Sequence, residues 1–309
     1  MSVETVVAGV GQIAGGLLLA PLLPGTVQTI KARLQGRRGP SPLQPYRELR
    51  RLWGKTTVQP EGSGPVYALA PAVAAASLIA CLVVIPIGGH SPEWPFGNDA
   101  LLLVGLFALA RFVVAAAAWD TGSGFALMGA SRDLSFSVFI EGLFLAVLAL
   151  AALPGGSTDL VSLSAAAHGS GIWGEPVHWC AAAAFAPVVV AETGRQPVDN
   201  PDTHLELTMV HEGGLLEYAG RDQAMLQWTM AARHWVLAVL GAELFLPHAG
   251  GFGLRLVALV AGVALLCALL AVTETWVAKM RILRVPRLLS AGVALCVVGV
   301  LLWFAGGTA

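Results

Sequence analysis

Residues 252–278 read F-G-L-R-L-V-A-L-V-A-G-V-A-L-L-C-A-L-L-A-V-T-E-T-W-V-A. This run is long enough to cross the ~30 Å hydrocarbon core of a bilayer as a helix. It lacks the apolar–polar alternation of a strand. Similar runs recur along the 309 residues, where 56% are hydrophobic and only 12% are Asp, Glu, Lys or Arg. Mean hydropathy is +0.73. Too few polar residues remain to coat a water-soluble core, and in lipid every backbone polar group must be satisfied inside the chain. The expected fold is therefore an all-α integral membrane protein, a single membrane domain over 1–309. About eight transmembrane helices form one tilted bundle, with amphipathic helices on its cytoplasmic side.

The expected spans are roughly 3–30, 65–88, 99–119, 134–153, 175–194, 224–246, 252–278 and 288–306. The first has Glu4 where a signal peptide would be basic, and it has no A-x-A site, so no cleaved signal is read. The connections alternate in charge. One set carries Lys31, Arg33, Arg37, Arg38, Arg47, Arg50, Arg51 and Lys55, then Arg132, then Arg195 and Arg221, then Lys279, Arg281, Arg284 and Arg287. The other set, about 89–98, 154–174 and 247–251, has no Lys or Arg. The positive-inside rule makes the first set cytoplasmic and puts both termini outside.

Several chemistries lack support. Cys81, Cys180, Cys267 and Cys296 all lie in apolar runs and form no C-x-x-C pair. They read as small packing residues rather than ligands of zinc or an iron–sulfur cluster. There is no phosphate-binding glycine motif, and a net charge of −1 gives nothing in favour of nucleic acid. His211-Glu212 is not H-E-x-x-H, because position 215 is Leu. No internal repeat of the kind seen in many transporters is visible. Gly155-Gly156-Ser157 and Gly169-Ser170-Gly171 read as flexible external loop.

Charge is concentrated in three places. Residues 31–55 form a cytoplasmic basic loop broken by Gly36, Gly39, Pro40, Pro42 and Pro45. Within it Tyr46, Leu49, Leu52 and Trp53 recur at helical spacing between arginines, which predicts a short amphipathic helix over 45–53. Such a helix either lies on anionic headgroups or docks a soluble partner. Around 120–141, Ser131-Arg132-Asp133 is expected to precede a helix that carries Glu141 about two turns in. Glu141 lies among apolar residues, so it should face the bundle interior and either titrate or serve as a hydrogen-bond anchor.

The third and densest stretch is 191–222, A-E-T-G-R-Q-P-V-D-N-P-D-T-H-L-E-L-T-M-V-H-E-G-G-L-L-E-Y-A-G-R-D. Glu192 and Arg195 are spaced for an i,i+3 ion pair at the end of the fifth span. Pro197 ends that helix and Asp199-Asn200-Pro201 turns the chain. Asp202 or Thr203 is expected to cap a new helix, with Glu206 as capping-box partner. On that helix Glu206 and Glu217 would share a face, about three turns apart. The 195–223 loop is thus a proton or water path lined by carboxylates, or a solvated helix held by salt bridges.

These residues also carry a resemblance. K-A-R-L-Q-G-R-R-G-P-S-P-L-Q-P-Y-R-E-L (31–49), S-R-D-L-S-F-S-V-F-I-E (131–141) and the whole 191–222 stretch are similar to the membrane-anchor subunits shared by two groups of complexes. These are respiratory complex I, as its subunit 1, and the energy-converting group 4 NiFe hydrogenases, including formate hydrogenlyase. The compact Gly39–Pro45 segment, the H-L-E-L-T-M-V-H-E form and A-K-M-R-I-L-R-V-P at 278–286 resemble the hydrogenase branch more than the quinone-reducing one.

The resemblance implies a non-catalytic membrane subunit of an oxidoreductase complex in a prokaryotic plasma membrane. It would bind no cofactor itself, with quinone a subordinate expectation. Ni–Fe and iron–sulfur clusters would belong to partners: hydrogenase-like large and small subunits, an iron–sulfur protein and antiporter-like membrane subunits. Glu141, Glu192, Asp199, Glu206, Glu212 and Glu217 would form the proton pathway. Arg33, Arg37, Arg38, Gln44, Arg47, Arg195, His204 and Arg221 would dock the peripheral arm. The rival readings are a quinone-site subunit, a purely structural anchor, and a secondary transporter using Glu141, Glu192 and Arg111.

Overall fold

In a computed structural model of the chain, the described residues are 3–91, 97–169, 171–199, 210–247 and 250–306. The chain begins with a broken span. Helices α1 (Val3–Leu19) and α2 (Leu22–Leu34) meet at Pro21 with a bend of 52°. Proline explains the break, since it has no N–H to continue the helical ladder. The hydroxyl of Tyr46 spans the gap, donating to the Leu18 carbonyl and accepting from the Leu22 N–H. Tyr46 belongs to α3 (Gln44–Trp53), the amphipathic helix expected from the sequence.

Six long helices follow together with one short one. They are α4 (Pro65–Val84), α5 (Ala100–Asp120), α6 (Gly124–Ala152), α7 (Leu160–Ala167), α8 (Pro176–Glu192), α9 (Gly220–Phe245) and α10 (Phe252–Trp276). The last helix is α11 (Val285–Gly306). Among the described residues five helices are long and apolar enough to span a membrane, or six if the α1–α2 pair counts as one. The remaining two of the eight expected spans fall short for different reasons. α8 has only 17 residues, and α9 carries Arg221, Asp222, Arg233 and Glu243.

Residues 131–133 lie inside α6 rather than in a loop before it, because the helix already starts at Gly124. The connection from α5 shrinks to 121–123. The 154–174 segment holds α7 and a 3-10 turn at Ile172–Gly174, so it is largely ordered rather than a flexible loop. Asp159 caps α7 by accepting from the Ser162 N–H.

α9 is the central element. It packs against α4, α3, α10 and α8, and 18 of its 26 residues are buried. Cross-contacts sort the connections into two ends of the bundle. At the basic end, Met280 N–H donates to the Pro197 carbonyl, Gly64 N–H to Asp120, and Tyr67 OH to the Glu217 carbonyl. At the other end, Leu160 N–H donates to the Asn98 carbonyl and Gly88 N–H to Glu243.

Candidate functional site: a buried network of charges

Glu192 is the last residue of α8 and is 1% exposed. The helix closes with Gly194 at φ 61, with Gly194 N–H bonding to Ala191 O and Arg195 N–H to Val190 O. This is the glycine-dependent Schellman closure, and it turns the chain sharply. Arg195 is thereby carried off the helix, and the expected Glu192–Arg195 ion pair does not form. Each residue finds partners far away in sequence.

Glu192 Oε2 accepts from Arg111 of α5 at 2.9 Å and from Arg233 of α9 at 3.0 Å. Arg111 also reaches Glu141 at 3.1 Å and lies 3.5 Å from Asp133, both on α6. Arg233 sits over the Phe107 ring, 5.3 Å from its centroid. Arg195 binds Glu274 of α10 at 3.1 Å and donates through Nε to His234 at 3.2 Å. Lys31 of α2 lies 3.2 Å from Glu274 on its other oxygen. Asp199 binds Lys279 at 2.8 Å and accepts the backbone N–H of Val210 at 3.0 Å and of His211 at 3.3 Å. His211 stands 3.6 Å from Asp199 and 3.7 Å from Asp133.

Five basic side chains (Lys31, Arg111, Arg195, Arg233 and Lys279) thus face five carboxylates (Asp133, Glu141, Asp199, Glu192 and Glu274). With its histidines neutral the network has no net charge. That balance lets it stay buried, because an uncompensated ion in low dielectric costs several kcal/mol. It also makes the network responsive: one proton gained or lost leaves a full charge unbalanced where screening is weak.

A polar cavity of about 70 Å³ sits within the network, bounded by Arg111, Asp133, Glu192, His211, Thr229 and Arg233. Several buried atoms on these residues make no hydrogen bond within the chain: Arg111 Nε, Asp133 Oδ1, Glu192 Oε1 and both ring nitrogens of His211. A polar space of that size holds several waters, and orphaned buried groups are what ordered water satisfies. The geometry can therefore order a short water chain between carboxylates and a histidine.

At the entrance, burial raises the Asp199 carboxyl, but hydrogen bonds from His211 and Lys279 and their charges outweigh it. The net effect holds Asp199 below the ordinary carboxylate range. Burial, followed by Tyr67, Asp222 and Asp120, pushes the Tyr218 phenol up, so it remains a donor. Tyr218 stacks on Tyr67 at 4.3 Å and donates to the Tyr67 carbonyl at 2.9 Å.

The expected proton-path residues divide. Glu141, Glu192 and Asp199 meet in the network. Glu206 and His204 lie outside the described residues. Residues 210–219 form bends and a 3-10 turn at Gly213–Leu215 rather than an α-helix, so the helical face expected for Glu217 does not exist. Glu212 begins that turn, and Glu217 contributes its backbone carbonyl to Tyr67.

The docking residues also divide. Arg33, Arg37, Arg38, Arg47 and Arg221 are exposed. Gln44 bonds to Glu48 within α3. Arg195 is 3% exposed and committed to Glu274, so it is not a docking residue. Sequence reasoning missed Arg233, Glu274 and His234. Ionisable residues inside otherwise apolar runs were the available signal. Glu243, 0% exposed, is a separate buried carboxylate, held at the far end by Gly88 N–H and the Ser164 hydroxyl. Among the described residues no group of His, Cys, Asp and Glu is arranged to hold a metal.

Comparison with known proteins places the chain. It is 31% identical to formate hydrogenlyase subunit 4 of Escherichia coli K12 over 292 residues, covering 89% of this chain and 91% of that one. It is 32% identical to hydrogenase-4 component C of the same organism, covering 94% and 93%. A membrane subunit of the NADH-quinone oxidoreductase of Geobacter metallireducens is 32% identical but covers 66% and 65%. The fold matches a chain of the membrane-bound sulfane sulfur reductase, an archaeal respiratory membrane complex, with TM-score 0.78, 21% identity and coverage of 93% and 95%. Residues 10–305 match the NADH dehydrogenase family, and the chain belongs to that family as a multi-pass membrane protein.

Proposed function

We propose that this chain is the membrane subunit of a formate hydrogenlyase-type complex, and that it couples electron transfer in a peripheral arm to proton translocation. The observation that carries this reading is the neutral network of Arg111, Glu192, Glu141, Asp133 and Arg233 around a polar cavity. The two hydrogenase relatives are similar over about nine-tenths of the chain or more, whereas the quinone oxidoreductase subunits match 62–77% of it. This coverage favours the hydrogenase branch.

In this reading the basic end faces the cytoplasm of a prokaryotic cell, and both termini lie outside. A hydrogenase-like arm holding Ni–Fe and iron–sulfur clusters sits on the exposed arginines of 33–47. A change of charge in the arm shifts the protonation or water order of the buried carboxylates. The shift passes through the bundle to an antiporter-like neighbour. This chain performs no chemistry on a substrate.

Glu141 is the residue to test, because its side chain is 23% exposed and it makes one bond to Arg111. Gln keeps the shape and an acceptor oxygen but removes the titration. In the Glu141→Gln complex, dye-linked hydrogenase activity and assembly should persist while proton translocation falls several-fold. Unchanged translocation would leave the chain an anchor only.

A further inference from the structure

An apolar groove of about 260 Å³ opens at the basic end between α1, α3, α4 and α9. Leu17, Leu49, Trp53, Ile79, Met225 and Trp228 line it. Leu17, Trp53 and Ile79 are 39%, 56% and 37% exposed, so the groove faces the perimeter of the bundle rather than its core.

Charge gathers at one end of this groove. On α9, Arg221, Met225 and Trp228 follow at spacings of four and three and share a face. Exposed Arg221 therefore continues the groove wall one turn towards the helix start. On α3, Leu49 and Trp53 face the groove and exposed Arg50 flanks Trp53 one turn back. Lys55 follows directly. The end of α3 is pressed onto the start of α9 at Gly220, where a Cβ would lie 2.4 Å from the Thr56 carbonyl and 3.0 Å from that of Lys55. Arg50, Lys55 and Arg221 are thereby brought to one mouth. None of the three pairs with a carboxylate among the described residues, whereas Arg51 is held by Glu48.

Met225 and Trp228 lie about 6–10 Å along the helix axis below Arg221. That step matches the drop from headgroup to acyl chain at a membrane interface. Unpaired cations above an apolar slot fit an amphiphile that is anionic at its head and apolar in its tail.

We propose that the groove holds one acyl chain of an anionic phospholipid, with its phosphate at Arg50, Lys55 and Arg221. The site selects lipid by charge and seats it by shape, against α3 and the bend between α1 and α2.

The test uses the full chain reconstituted in phosphatidylcholine bilayers that contain either brominated phosphatidylglycerol or brominated phosphatidylcholine. Quenching at the groove is read as wild-type fluorescence minus that of Trp228→Phe. Because Trp228 also bonds the Leu17 carbonyl, Trp53→Phe gives a second reading from a residue with no hydrogen bond to lose. Groove quenching should half-saturate at a clearly lower fraction of the anionic lipid than of the zwitterionic one. The preference should weaken about fivefold for each cation replaced by Gln, since each basic side chain near an anionic surface is worth about that factor. Both lipids should still quench the Arg50→Gln, Lys55→Gln, Arg221→Gln triple variant. Equal quenching by the two lipids in the wild type would reduce the groove to ordinary lipid annulus and overturn the proposal. A preference that survives the triple variant, or absence of quenching at both tryptophans, would overturn it equally.

Discussion

Arg111 and Arg233, from two different helices, converge on the same oxygen of Glu192, at 2.9 and 3.0 Å. A single carboxylate thus restrains two guanidinium groups that would otherwise repel each other in a low-dielectric interior. Glu192→Gln would leave those cations facing each other with only Glu141 and Asp133 in compensation. Losing one member of a buried ionic group costs about 3–5 kcal/mol. The retained amide oxygen puts this substitution near the low end. The thermal midpoint of the solubilised protein should fall by several degrees, and the loss should shrink when Arg233→Met is added. An unshifted midpoint would mean the pair is not buried as described.

Lys31 and Arg37 are six residues apart, yet only the first is structural. Lys31 is 5% exposed beside Glu274, while Arg37 reaches only Gln35 on the surface. Lys31→Met should destabilise by about 3 kcal/mol. Arg37→Gln should stay within about 0.5 kcal/mol. Equal effects in a chemical unfolding series would contradict the burial.

Asp199 gives a pH signature. Its folded carboxyl titrates below the ordinary range, so it contributes stability that is fully present above about pH 4 and is lost as pH falls through the folded value. Asp199→Asn should therefore be less stable than wild type by a constant margin between about pH 7 and pH 5. The margin should close only in more acidic solution. A gap that opens as the solution is acidified over that same interval would reverse the assigned sign.

Arg33, Arg37 and Arg38 stand exposed next to the turn after α2. Replacing all three with Glu should release the peripheral arm from membranes at moderate salt, because long-range attraction between exposed charges is screened. Co-sedimentation of the arm with the variant membranes, alongside normal activity, would remove this surface from the docking site.

Orientation is checked at the other end of the bundle. A cysteine placed at Ser157, beside the start of α7, should react with a membrane-impermeant thiol reagent added outside intact cells. Reaction only in inverted vesicles would turn the topology over.

Much of this architecture was legible in the sequence, because apolar runs and their breakers act locally. The amphipathic α3, the break of the first span and the alternation of basic and uncharged connections all follow from residues close together in the chain. The pairing of charges was not legible. Lys31 and Arg195 meet on Glu274 from 243 and 79 positions away, and no local spacing encodes that. Local spacing even misled at Glu192 and Arg195, where Gly194 reverses the chain and separates an apparent i,i+3 pair. The same limit applied to 210–219, where Gly213 and Gly214 favour a tight turn over the helix that the carboxylate spacing suggested.

The break between α1 and α2 bears on how the chain is made. The Leu17 carbonyl would ordinarily bond the amide four residues on, but that residue is Pro21, which has none. Its partner is instead the indole N–H of Trp228, 211 residues later, at 3.1 Å. A carbonyl without a partner in hydrocarbon is costly. As the chain leaves the ribosome, its first span therefore inserts with an unmet hydrogen bond. That span reaches its final bent form only after α9 has been synthesised and has entered the bilayer beside it.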